Sequence, residues 1–136
     1  MAKISGLAWT SLSVDDSAGT PRDIRNDIAS LSFATPRAVQ DVTGIDKSAM
    51  ERLLLLADFT LDLSGVFNPA ATTTAHAVFR TVPSSSVART STITVGGASL
   101  AGELLFTDYA VKRGEDGALT WSSPGVLADG TVPTWT

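Results

Sequence analysis

The hydrophobic pattern is most telling in the C-terminal third, where Glu103 to Trp135 reads as two long strands joined by one Gly-bounded turn. On the first arm, Ala101 to Lys112, the residues Leu105, Tyr109 and Val111 fall on one side and Leu104, Phe106 and Ala110 on the other. A strand that is apolar on both sides is either sandwiched in a core or covered by another subunit. The turn, Arg113 to Gly117, contains an Asp-Gly pair, and such residues tolerate the positive φ of hairpin turns. The returning arm, Ala118 to Ser123, sets Leu119 and Trp121 against Ala118, Thr120 and Ser122, and Pro124-Gly125 ends or bends it.

Upstream, Gly6 to Val14 reads as a first strand, with Leu12 and Val14 on one face and Trp9 on the other. Asp15 to Arg22, broken by Gly19 and Pro21, is a loop. Ile24 to Phe33 is a second strand whose apolar positions change parity midway, and a bulge near Ala29 or Ser30 would reconcile them. Ala34 to Lys47 keeps no period, and a loop that long inside a compact domain usually has a task such as contacting a partner. Ser48-Ala-Met-Glu51 has the spacing of a capping box and predicts a helix from about Ala49 to Asp58. Leucines at 53, 54, 55 and 56 wrap more than half of that helix, so it needs contacts on two sides.

Phe59 to Phe67 alternates most cleanly, with Phe59, Leu61, Leu63 and Phe67 on a dry face and Thr60, Asp62 and Ser64 on a wet one. Asn68 to Ser86 is a second long connection with room for one helical turn over Ala75 to Arg80. Val87 to Val95 returns to strand, and Gly96-Gly97 turns it toward the C-terminal hairpin. The sum is a mainly β (α+β) chain, a β-sandwich of about six to seven strands with one flanking α-helix. The 136 residues suit one domain, 1–136, with a single core and no internal repeat.

Composition narrows the functional classes. A hydrophobic content of 43% supports a folded body, whereas 18% charged residues is below the roughly 25% of soluble domains, so partners should cover part of the surface. The net charge of −4, with no run of Lys or Arg, argues against tight nucleic-acid binding. With no cysteine, the chain makes neither disulfides nor thiolate metal sites. Met1-Ala-Lys-Ile-Ser-Gly has no apolar signal core, and the run Leu53 to Ala57 is too short to span a bilayer, which points to release into the cytoplasm and no membrane partner.

Reactive chemistry is thin. His76, the one histidine, has no neighbouring carboxylate or cysteine and is expected as an exposed loop imidazole. Asp15-Asp16 and Glu115-Asp116 lack the periodicity of a calcium loop and read as solvated turns. There is no Gly-x-Ser-x-Gly elbow and no phosphate-cradling glycine loop, so no catalytic, metal or cofactor-binding residue is assigned. Trp9, Trp121 and Trp135 could stack on sugars, though core or interface filling is the commoner use.

The element order, the run Thr35 to Asp58, Thr107-Asp-Tyr109 and Gly117 to Leu127 together resemble the major tail (tail tube) proteins of long-tailed bacteriophages, particularly siphophages of actinobacterial hosts. The resemblance extends from about Ile24 to Trp135. It implies a structural virion protein, not an enzyme. Six copies would form a ring, and rings would stack into a hollow tube, the conduit for genome ejection. Inner strands would join into a lumen barrel without free edges. Its partners would be itself, the tape-measure protein, the tail terminator and distal tail or baseplate proteins. DNA would slide past without specific binding, and assembly would take place in the host cytoplasm.

The resemblance places the ring-to-ring contact in the Ala34–Lys47 loop, at Pro36, Arg37, Gln40 and Asp41. A like-charged wall discourages DNA binding, so the lumen candidates are Asp62, then Asp27 and Asp108. The alternatives are another phage ring protein, such as a tail terminator or head-decoration protein, and a carbohydrate-binding β-sandwich.

Overall fold

The computed structural model describes residues 3–70 and 73–136; Met1, Ala2 and, within the second long connection, Ala71 and Thr72 lie outside them. The strands are β1 (Trp9–Asp15), β2 (Pro21–Asp23), β3 (Ser30–Ala34), β4 (Arg37–Asp41), β5 (Arg52–Ala57), β6 (Thr60–Val66), β7 (Arg89–Val95), β8 (Ala98–Phe106), β9 (Ala110–Arg113) and β10 (Leu119–Leu127). One short helix, α1 (Ala75–Phe79), falls where the sequence left room for a helical turn. An antiparallel sheet has the order β2-β1-β7-β8-β10-β6-β3, with β9 also on β10, while β4 and β5 pair separately.

The sheet folds back on itself, and β8 is the strand that turns the corner. Its length from Ala98 to Leu104 pairs with β7, and its last three residues, Leu104 to Phe106, pair with β10. Gly102 sits at the bend, where a Cβ would lie 3.3 Å from both Phe59 and Pro133. The two halves therefore face each other: Trp9 on β1 meets Phe33 on β3 edge-to-face at 6.3 Å. Leu12, Val14, Leu61, Leu63, Ile93, Leu100 and Leu104 fill the space between, and all are buried. α1 plugs this core, because Thr74 caps it by accepting from Ala77 N and Phe79 packs 4.9 Å from Phe106 and 5.4 Å from Trp121.

Several expectations change in detail. Trp9 joins the Leu12–Val14 face because the β1–β7 register shifts between Trp9 and Ser11, and the extra residue of this bulge reverses its side. The expected strand from Ile24 to Phe33 is instead a 3-10 turn over Arg25–Asp27 followed by β3, and this turn supplies the parity change that a bulge was expected to make; β2 falls at the end of the expected Asp15–Arg22 loop. The C-terminal arm is likewise split: β8 ends at Phe106, and the break at residues 107–109 offsets β9 by one residue against β10. The return arm does not end at Pro124-Gly125. β10 runs through them because Gly125 lets the Phe106 ring lie against its backbone, where a Cβ would sit 2.9 Å from that ring.

The predicted helix over Ala49–Asp58 is absent; Arg52–Ala57 is strand β5. The capping box fails because Glu51 N donates to the Thr43 hydroxyl at 2.8 Å, and Val42 N donates to Glu51 O at 2.9 Å. Cross-strand bonds from β4 outcompete a local cap whose helix would have had nothing to pack on.

Candidate functional site

The β4–β5 hairpin projects from the ends of β3 and β6, where Ala34 stands opposite Thr60. Its base is clamped by Asp58 N donating to Pro36 O at 2.9 Å. Arg37 adds a second clamp, its Nε and Nη2 donating to Leu55 O at 3.1 and 2.8 Å. In register, Val39 opposes Leu54 and Asp41 opposes Arg52, so these share one face, while Leu56 lies in the bulge between Leu54 and Ala57, where the alternation breaks. Gln40 opposes Leu53 and, with Leu55, occupies the other face. Both faces are exposed: Leu56 is 91% accessible, Leu54 60% and Leu53 55%. A two-stranded ribbon with apolar residues on both sides is marginal in water by itself.

The four residues assigned to the contact loop all lie on this arm. Pro36 and Arg37 are at its root, and Arg37 is engaged in holding the arm's own backbone. Gln40 and Asp41 are exposed on β4. Asp41 accepts from the hydroxyl and the backbone N of Thr43 at 2.6 and 2.9 Å, and these bonds hold its carboxyl below the usual aspartate range. Absent from that residue set were the arm's leucines; the run of four, needing contacts on two sides, was the signal for them.

The acidic lumen candidates fare differently. Asp62 is exposed on β6 opposite Ser32 and Pro124, on an outward face with Ser30, Thr60, Ser64 and Ser122. Asp108 is exposed in the break between β8 and β9, where its carboxylate accepts from Tyr109 N at 2.8 Å. Asp27 is a correction: it is only 6% accessible, and its two carboxylate oxygens accept from Asn68 Nδ2 at 3.1 Å and Ala75 N at 2.9 Å. It pins the 3-10 turn to the start of α1 and faces the interior, because two orphan donors there need a buried acceptor.

His76 is also a correction. It sits on α1, half-buried, with Nδ1 at 3.0 Å from the Tyr109 hydroxyl and its ring 5.0 Å from Phe67. Burial, and secondarily the charge of Asp27, pushes the Tyr109 phenol up. Asp16 forms a loop staple, accepting from Ala18 N and Thr20 N and pairing with Arg22 at 3.3 Å. Asp15 lies beside Thr90, whose hydroxyl donates to Glu103; partial burial leads in raising its carboxyl above the usual range. Among the described residues no group of three or more His, Asp or Glu side chains could hold a metal, and no helix is long and apolar enough to cross a membrane.

The tryptophans divide between two places. Trp9 and Trp135 flank Phe33 at 6.3 and 5.8 Å, and Trp121 is buried against Phe79.

The architecture is a rolled antiparallel sheet with a projecting apolar hairpin. The fold is similar almost end to end to that of a chain from the tail of an empty gene transfer agent particle, refined helically with C6 symmetry. The TM-score is 0.77 at 15% identity, covering 98% of this chain and 99% of that one. A chain from the virion of a native gene transfer agent particle matches with a TM-score of 0.76 at 14% identity, over 98% and 99%. At such identities the likeness is one of fold. No protein-family model and no curated protein matches the sequence.

Proposed function

We propose that this chain is a tail-tube protein, a structural virion component acting as one unit over residues 1–136. Its copies form hexameric rings that stack into a hollow conduit for genome ejection. The observation that carries the reading is the full-length fold match to a chain of a C6-symmetric tail. The arm supports it: a hairpin apolar on both faces is stable only when other copies cover it. It would be the ring-to-ring contact, with Gln40 and Asp41 on the contact surface and Pro36 and Arg37 setting its angle.

Asp62, on the hydroxyl-rich outward face, is the first lumen candidate, and Asp108 the second. A carboxylate on the wall repels passing phosphates and forms no counterion-releasing contact. Tape-measure, terminator and distal tail proteins are the remaining partners, and assembly proceeds in the host cytoplasm. The carbohydrate-binding alternative needs aromatic rings clustered on one open face, an arrangement disfavoured by the burial of Trp121.

Negative-stain electron microscopy of the purified protein at high concentration, with light scattering beside it, tests the reading. Uniform hollow tubes with six-fold end views are the expected result. A stable trimer, or rings that never stack, would overturn it in favour of a decoration or terminator role.

A further inference from the structure

The β4–β5 arm is tied to the body only through its root. β4 and β5 pair with each other, and among the described residues no hydrogen bond or ion pair joins residues 37–57 to the main sheet. The arm's direction is therefore set by the segments that enter and leave it, Phe33–Ala34 on one side and Asp58–Phe59 on the other. Ile45 lies eight residues beyond Arg37. At about 3.3 Å per residue the tip reaches up to roughly 25 Å from the root, and a slip of about 10° there moves it by about 4 Å, close to one inter-strand spacing.

Residues 128–136 pass behind that root. Gly125 of β10 stands opposite Phe106 of β8, so an unbroken ladder would bring Val132 to Ser99. Thr136 is there instead, exchanging both backbone bonds with Ser99 at 2.9 and 3.0 Å, while Ala128 N donates to Glu103 O at 2.9 Å. The four extra residues arch through a turn at Gly130, where φ is 72°, and Thr131 N donates to Asp129 Oδ1. The arch buries Pro133 beside Phe59, in the space that Gly102 leaves, and lays Trp135 against Phe33 at 5.8 Å. Phe33 in turn meets Phe59 edge-to-face at 6.4 Å. A tail that only guarded the bare edge of β8 would follow the ladder. This one diverts its extra length to the two aromatic residues that frame the arm.

We infer that residues 128–136 are the arm's brace, with Pro133 and Trp135 as positioning residues that hold Phe59 and Phe33, and with them both feet of the root, at a fixed angle. The purpose of the brace rests on the proposed stacking; its mechanics do not. An arm free over about ten orientations would be competent to dock about a tenth of the time, which raises the concentration needed for assembly by the same factor. Bracing removes that penalty before a second copy arrives.

The cysteine-free sequence lets pairs of spin labels report the arm in the unassembled chain. One pair, Ile45→Cys with Glu115→Cys, spans arm and body, and a second, Ser17→Cys with Glu115→Cys, spans the body alone; all three positions are exposed. Trp135→Ala should broaden the arm-to-body distance distribution and leave the body pair as it is. Trp135→Phe should restore the narrow distribution, because a ring again lies against Phe33. An arm-to-body distribution that is already broad in the parent, or that Trp135→Ala leaves unchanged, would overturn the brace. Equal broadening of both pairs would overturn it too, since Trp135 would then hold the sandwich together and not the arm. Where the chain forms tubes, Trp135→Ala should raise the threshold concentration roughly tenfold. A broadened arm with an unmoved threshold would leave the brace standing and count against the arm's ring-to-ring role.

Discussion

Replacing Leu54 and Leu56 together by alanine separates the arm's role in assembly from any role in folding. Both leucines lie on β5, Leu54 opposite Val39 and Leu56 in the bulge between Leu54 and Ala57. They are 60% and 91% accessible in the isolated chain, together about one and a half leucine side chains of surface still open to water. Full burial of a leucine stabilises by about 1.5–3 kcal/mol. Alanine retains its Cβ, so the substitution should remove about 2–4 kcal/mol from each arm contact, a factor of roughly 30 to several hundred in association. The assay is the threshold concentration for tube formation, read by light scattering and checked by electron microscopy. The unassembled double variant should keep its urea midpoint, within about 0.5 kcal/mol of the parent, because exposed positions contribute little to folding. A threshold within about threefold of the parent would refute the reasoning, since the leucines would then stay wet in the tube. Loss of the folded monomer would refute it differently, by showing that the arm packs on its own chain.

Gly65→Ala should destabilise the monomer by about 3 kcal/mol or more, because a Cβ there would lie 1.8 Å from the Asp27 carbonyl oxygen and drive the 3-10 turn off β6. Gly6→Ala, with nothing within 4 Å, is the control, and equal urea midpoints for the two variants would contradict this account. Asp15 is raised above its ordinary 3.8, chiefly by burial. Its stabilising contribution is therefore present below that value and lost as pH rises through the folded one. Asp15→Asn should accordingly gain on the parent between acid and neutral pH, and a pH-independent difference would show that the carboxyl does not titrate as described. Asp62→Lys should leave tubes formed but slow genome ejection, and unchanged ejection kinetics would take Asp62 out of the lumen. Tyr109→Phe, which removes the bond to His76 Nδ1, should cost about 1 kcal/mol in urea unfolding, and a neutral change would mean that water satisfies His76 equally well.

On β6, with one dry face and one wet, the chain's local pattern was enough to read the strand. Leu61 and Leu63 alternate with Asp62 and Ser64 on β6, and a one-residue slip would put both leucines in water, so period and burial had to agree. The Gly96-Gly97 turn was legible for a related reason: at φ of 58° and 87° both positions favour residues without a Cβ. The arm was legible only as a need, because four consecutive leucines announce contacts on two sides without choosing helix or strand. The choice came from β4, whose backbone and Thr43 hydroxyl take up the groups that a helix would have bonded internally. Asp27 and His76 were misjudged for the same physical reason. Their partners, Ala75 and Tyr109, lie 48 and 33 residues away, and burial by distant segments leaves no local trace in the sequence. Composition and periodicity determined a β-rich chain with one run, Leu53 to Leu56, too apolar for a single amphipathic stripe. Only the tertiary structure put the leucines on an exposed hairpin and Asp27 in the interior, because that placement depends on which strands pair and not on what any segment prefers alone.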